Sequence, residues 1–180
     1  TADTLTEIDF NGVILEDDAK TIIGTAIIDN AAIKIQTMKC HNWQVKKGDS
    51  NLTLPVKMEA ADLMLVAAAI KSHETLTALS LRGNKLGGTS ASVASFEALG
   101  KALASNWRHG KLEQLDFSDI GITDADAAGL VEHWTKVTQS NVKTVKFGKT
   151  SLSKEAGKGM VIRKLKNLMV TDVRITSTCD

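Results

Sequence analysis

The stretch Leu76-Thr-Ala-Leu79-Ser-Leu81-Arg-Gly-Asn84-Lys-Leu86 has apolar residues at relative positions 1, 4, 6 and 11 and an asparagine at position 9. The alternation of Leu79 and Leu81 predicts a short β-strand with both leucines on one face. The residues that follow predict a turn in which the Asn84 side chain bonds to backbone groups of a neighbouring unit. One strand and one turn are therefore defined before the rest of the chain is considered.

Five further stretches repeat this spacing in weaker form. Their paired inward positions are Ile8 and Phe10, Met38 and Cys40, Leu115 and Phe117, Val145 and Phe147, and Val173 and Ile175. The six copies begin at Leu5, Ile35, Leu76, Leu112, Val142 and Val170, so successive starts lie 28 to 41 residues apart. The two longest intervals predict insertions, which we expect to be loops at 46–57 and 87–92.

The segments between these strands have apolar residues at helical intervals. They predict helices at about 19–27, 59–71, 93–103, 127–137 and 153–166. Acidic residues at 16–18, and Thr123 with Asp124 and Asp126, are typical of helix starts. Strands that alternate with helices favour an α/β fold, with a parallel sheet of about six strands backed by about five helices.

The motif at Leu76 resembles the leucine-rich repeat, and the unit length resembles its ribonuclease-inhibitor-like class. Relatives in that class include tropomodulin, the Ran GTPase-activating protein and NOD-like receptors. The resemblance implies a right-handed β-α solenoid, or horseshoe, with the sheet on the concave face and the helices on the convex face. It implies one domain over 1–180, which we expect to be a fragment or to lack an N-terminal cap. Asn84 is replaced by Val13, Trp43, Ile120 and Thr150 in the other copies, as expected of a divergent member.

The charges are balanced overall but unevenly distributed. The chain has 22 basic and 21 acidic residues, so bulk charge predicts neither a nucleic-acid nor a membrane partner. Residues 1–30 contain seven acids and one lysine, whereas residues 139–180 contain nine bases and three acids. The two ends are therefore expected to carry opposite charge.

The two cysteines, Cys40 and Cys179, have a spacing that suggests neither a disulfide framework nor a metal site. This favours a reducing compartment, and we expect the cytoplasm. Asn51-Leu-Thr53 matches a glycosylation sequon, which leaves an extracellular location open as the alternative.

No motif indicates catalysis or a cofactor. Gly148-Lys149-Thr150 lacks the upstream glycine of a phosphate-binding loop. Cys40 and His41 are adjacent on a predicted strand, so their side chains should point to opposite faces. Neither Glu132 with His133 nor Asp124 with Asp126 forms a two-histidine or cysteine-rich set, and capping explains the aspartates more simply. We therefore expect no enzyme, no cofactor and no metal, with the three tryptophans in packing roles.

The outward side chains of the strands form two predicted columns, with neighbours about 4.8 Å apart. The first column is Asp9, Lys39, Ser80, Asp116, Lys146 and Arg174, and the second is Asn11, His41, Arg82, Ser118, Gly148 and Thr176. The candidate partner-binding residues are Lys39, His41, Arg82, Asp116, Lys146 and Arg174.

These observations predict a non-enzymatic module that binds a protein partner through the concave sheet face and its adjoining loops. The alternative is a structural protein that stacks through its acidic N-terminal and basic C-terminal ends, with homo-association as the consequence. A weaker alternative, implied by the resemblance, is a GTPase-regulatory accessory; the resemblance assigns no catalytic arginine, and Arg82 and Arg108 are nominal candidates only.

Overall fold

The computed structural model describes residues 5–108, 110–137, 140–153, 157–168 and 170–177. In these residues the chain forms an α/β fold with five α-helices. The strands are β1 Glu7–Asp9, β2 Thr37–Lys39, β3 Gln44–Val45, β4 Asn51–Thr53, β5 Ala78–Ser80, β6 Gln114–Asp116, β7 Thr144–Thr150 and β8 Asp172–Ser177. The helices are α1 Asp17–Asp29, α2 Asp62–Ile70, α3 Ser90–Asn106, α4 Asp124–Glu132 and α5 Gly159–Asn167, and a 3-10 turn spans His133–Lys136.

Five strands form a parallel sheet in the order β4-β5-β6-β7-β8, which we call the second sheet. Each strand pairs with the next one in this order, and a helix connects each to the next. The register places Leu79 beside Leu115 and Leu115 beside Val145. The predicted α/β class and a parallel sheet backed by helices are therefore confirmed at this level.

The expected single sheet of about six strands is wrong. Strands β1 and β2 pair in parallel, but the next neighbour of β2 is the antiparallel β3, and these three form a separate first sheet. On the side of β5 where β2 was expected, the neighbouring strand is β4. Strand β4 lies inside the segment expected to be a loop at 46–57. Leu52 and Leu54 alternate and are both buried, so this segment adds a strand to the core.

The expected loop at 87–92 is shorter than predicted, because only residues 87–89 lie outside α3. Gly88 has a φ of 84°, which the turn before α3 requires, and the helix then begins at Ser90. Helix α3 is 17 residues long, whereas α2 and α4 have nine residues each. The long interval between the copies that begin at Leu76 and Leu112 therefore reflects a longer helix α3.

Asn84 has the role that the motif predicts. It is fully buried, and its Nδ2 donates to the carbonyl of Leu81 at 2.9 Å. Its Oδ1 accepts a hydrogen bond of 2.9 Å from the backbone N–H of Met58, in the preceding unit. The side chain thus links two units through groups that would otherwise be buried without partners.

Glycines allow successive helices to approach closely. A Cβ at Gly24 of α1 would lie 2.7 Å from the Cβ and the carbonyl oxygen of Met64 in α2. A Cβ at Gly100 of α3 would overlap the carbonyl oxygen of Leu130 in α4. At both contacts only glycine leaves room for the neighbouring backbone.

Asp126 joins the starts of α3 and α4. Thr123 and Asp126, both expected at a helix start, form a capping box of α4, with the Thr123 N–H donating to Asp126 Oδ2 at 2.9 Å. The same carboxylate accepts from the Gly88 N–H at 3.0 Å and from the Ser92 hydroxyl at 2.5 Å, both at the start of α3. Asp126 is fully buried, so these donors replace water around its carboxylate.

Helix α5 begins at Gly159, later than the expected start at Ser153, and residues 154–156 lie outside the described chain. Gly157 is buried, and a Cβ there would overlap Asp124 Oδ1. Gly157 therefore allows this segment to pack closely against the start of α4.

Replacing Asp126 with Asn should destabilise the fold by roughly 2–3 kcal/mol, because an NH₂ group would face donors that now bond to a carboxylate. Equilibrium urea unfolding of the two proteins measures this difference. Asp119→Asn is the matched control, since it removes the same charge at an exposed turn position with a φ of 57°. The control should stay within about 0.5 kcal/mol of the parent protein. Equal losses in the two variants would contradict the role assigned to Asp126.

Candidate partner-binding surface

The first predicted column is present on the second sheet. Ser80 pairs with Asp116, Asp116 with Lys146, and Lys146 with Arg174. The inward neighbours Leu79, Leu115 and Val145 are buried, whereas the four outward side chains are half-buried or exposed. Side chains from four consecutive strands therefore line one open face, which we call the polar face.

The second column continues beyond the strand ends. The Leu81 N–H donates to the Asp116 carbonyl at 2.9 Å, and the Gly83 N–H donates to the Ser118 carbonyl at 3.1 Å, so Arg82 stays on the same face. The Gly148 N–H donates to Ser118 Oγ at 3.1 Å. A Cβ at Gly148 would lie 2.9 Å from that oxygen, and this contact explains the glycine in the column.

The charged side chains of the polar face differ in whether they pair with other groups of the protein. Arg174 pairs with Asp172 of its own strand at 2.9 Å, and this hydrogen bond raises the pKa of the guanidinium. Asp116 accepts a hydrogen bond of 2.9 Å from the Ser118 N–H. Arg82 and Lys146 form no ion pair with any residue that the structure describes. These two cations are therefore the groups on the polar face available to a ligand.

Lys39 lies on β2 of the first sheet, and His41 lies in the turn between β2 and β3. Lys39 pairs with Asp9 at 2.8 Å and with Glu7 at 3.4 Å. The hydrogen bond to Asp9 raises the pKa of Lys39 and lowers that of Asp9. Because β4 supplies Thr53 as the neighbour of Ser80, the predicted column is interrupted between Lys39 and Ser80. The six candidate residues therefore divide into one group of two and one of four.

His41 lines a cavity of about 260 Å³ that sequence reasoning did not identify, here called the Trp43 cavity. Its apolar lining is Phe10, Val13, Ile14, Leu15, Trp43, Met58 and Leu65. Ile14 is 79% exposed and Val13 is 48% exposed. The signal in the sequence was the run Val13-Ile14-Leu15, of which the repeat pattern explains only two positions.

Lys20 lies at this cavity and joins its two helices. Its Nζ is 3.0 Å from Asp62 Oδ1 of α2 and 3.1 Å from Asp17 Oδ1 of α1. Burial lowers the pKa of Lys20, but hydrogen bonds to the two carboxylates outweigh burial and raise it. The cation is therefore satisfied within the protein and is not a free ligand-binding group.

Cys40 and His41 diverge as predicted. His41 is exposed, whereas Cys40 packs against the core, and burial raises the pKa of its thiol to about 12. A thiol with this pKa is almost fully protonated at neutral pH and is a poor nucleophile. The predicted structural role of Cys40 is supported, and Cys179 lies outside the described residues.

Other residues considered for chemistry have structural contacts. Trp107 and Trp134 are buried and meet edge to face, with ring centroids 5.1 Å apart. Asp124 Oδ1 accepts a hydrogen bond of 2.9 Å from the Ser153 N–H. Among the described residues, no helix combines the length and apolar character needed to cross a bilayer.

Alkylation of Cys40 by iodoacetamide should be roughly 100-fold or more slower than that of a free cysteine at neutral pH, because only the thiolate reacts. A Cys179→Ser variant isolates the Cys40 reaction, which mass spectrometry follows over time. The same variant in concentrated urea is the control, since unfolding should restore the rate of an ordinary thiol. Equal rates in the two conditions would show that burial does not suppress the thiolate.

Comparison with known proteins does not extend these observations. No protein-family model matches this sequence, and a search of curated proteins finds no match.

Proposed function

We propose that this chain is a divergent leucine-rich repeat protein of the ribonuclease-inhibitor-like class, and that it is a non-enzymatic module for binding another protein. Support comes from the five strands of the second sheet, which pair in chain order with a helix between each strand and the next. Paired residues in successive strands are 27 to 36 positions apart, from Leu52–Leu79 to Leu79–Leu115. The bond from Asn84 to the preceding unit adds further support. In this proposal the five strands form the concave face of a horseshoe.

The partner surface is the polar face, and the partner segment is acidic. The observation on which this rests is that Arg82 and Lys146 lack ion pairs in the described chain, while Asp116 and Arg174 use their charges locally. Lys146 lies beside Asp116 on the neighbouring strand, and Arg82 follows β5 on the other side of β6, in the second column with Ser118. Carboxylates on an extended segment would complement these two cations, and such contacts should increase the association rate and make it sensitive to salt.

A short poly-glutamate peptide is the probe for this surface, followed by amide shifts in an NMR titration at low salt. We expect shifts in β5, β6 and β7, and their loss at high salt. The variant R82E/K146E should weaken binding by roughly tenfold or more, because it replaces two attractions with repulsions.

The matched control is K111E/K166E, which changes the net charge equally at two exposed lysines elsewhere. It should bind the peptide within about twofold of the parent protein, because distant surface charges are screened at moderate salt. If both double variants lose binding to the same extent, net charge and not the polar face determines affinity, and the proposed surface is rejected.

The assembly alternative is favoured by the ends of the two sheets. Within the described residues, β1 and β8 each have a strand on one side only. Strand β1 carries Glu7 and Asp9, and α5 carries basic residues in its last turn. If these ends stack, the mass from sedimentation equilibrium should rise with concentration and fall back in high salt. A constant monomer mass across both series would contradict stacking.

A further inference from the structure

Three side chains of types that bind metal ions meet on the helical side of the molecule. They are Glu97 of α3, Glu132 at the end of α4, and His133, which follows it. Each offers one ligand atom, and these atoms lie within 4.8 Å of one another. Glu132 and His133 are adjacent in the sequence, but Glu97 comes from the neighbouring helix, so the sequence pattern showed only two of the three.

The close packing of α3 and α4 creates this arrangement. Gly100 lies three residues after Glu97, and Gly129 lies three residues before Glu132, so each glycine shares a helix face with its glutamate. A Cβ at Gly129 would lie 3.4 Å from the Glu97 backbone nitrogen, and one at Gly100 would overlap the Leu130 carbonyl. The backbones that present the two carboxylates are therefore fixed at short distance by packing that does not depend on the carboxylates.

The observation that indicates a ligand is the state of the His133 ring. Its Nε2 is buried and has no hydrogen-bond partner among the described residues. The nearest carboxylate oxygen, Glu97 Oε1, is 3.6 Å away, too far for a hydrogen bond. Two ligands bound to one zinc ion at about 2.1 Å in tetrahedral geometry are about 3.4 Å apart. The Nε2–Oε1 distance therefore fits two ligands of one ion better than a direct bond.

We propose that Glu97, Glu132 and His133 bind one divalent cation of the zinc type. Neutral imidazole and carboxylate oxygens are both ligands that zinc accepts, and three protein ligands leave one coordination position for water. The side chains of Glu97 and His133 are 52% and 28% exposed, so the cluster lies at the surface, where an ion can enter from solvent. The ion would link α3 to α4, and the stabilisation of the folded state would grow with the logarithm of the ion concentration above its Kd. The competing explanation is a protonated His133 that pairs with Glu97 without a metal.

Isothermal titration calorimetry of the full chain with Zn²⁺ alone at neutral pH tests the site. We expect one ion per chain. His133→Gln and Glu97→Gln should each weaken Zn²⁺ binding by roughly 10–100-fold or more. Each removes a direct ligand, and loss of a residue that only supports a ligand already has an effect of that size. Thermal unfolding with and without Zn²⁺ is the second readout, and the stabilisation by the ion should disappear in both variants. Glu97 is half exposed, so its variant tests the site even if the histidine variant folds poorly.

His41→Gln is the matched control, since His41 is exposed and lies in the turn between β2 and β3. It should bind Zn²⁺ as the parent protein does. Loss of binding in this control, or unchanged binding in both His133→Gln and Glu97→Gln, would place the ion elsewhere and overturn the proposal. Absence of Zn²⁺ binding by the parent protein would also overturn it and would leave the ion pair as the explanation.

Discussion

The structure depends on packing a layer of helices against a parallel sheet, although helices and strands prefer different distances between neighbours. Neighbouring strands lie about 4.8 Å apart, whereas packed helices are usually separated by about 8–10 Å. Gly24 and Gly100 reduce the mismatch by letting helix backbones touch where any other residue would collide. The mismatch that remains favours a sheet that curves away from its helices, which is the physical basis of the horseshoe that we propose.

Much of the fold could be predicted because it is encoded locally. The alternation of Leu79 and Leu81 specifies a strand whatever surrounds it, and Asn84 then bonds as a turn residue should. Strand β4 was missed because Leu52 and Leu54 are its only inward apolar pair and Pro55 follows at once. The length of α3 was missed because Gly87 and Gly88 suggested a longer turn than the one they form.

The candidate site could be predicted from the sequence only in part. The columns through Asp116, Lys146 and Arg174 were predicted correctly, because the alternation of side chains along a strand assigns each residue to a face. The separation of Lys39 from Ser80 depends on which strands are neighbours, and that depends on the reversal of the chain at β3. Likewise, Glu97 meets His133 only through the packing of two helices. The alternation of side chains along one strand shows neither which strands are neighbours nor which helices pack together.

The pairing of strands in chain order also has a consequence for how the chain folds. Each contact across the second sheet closes a segment of similar length, with partners 27 to 36 positions apart. Because the entropy lost on closing a loop grows only slowly with its length, all four pairings have nearly the same cost. None of these pairings joins distant ends of the chain, but each one spans a whole helix and its turns. We therefore expect folding to be slower than that of helical bundles, whose contacts are mostly local.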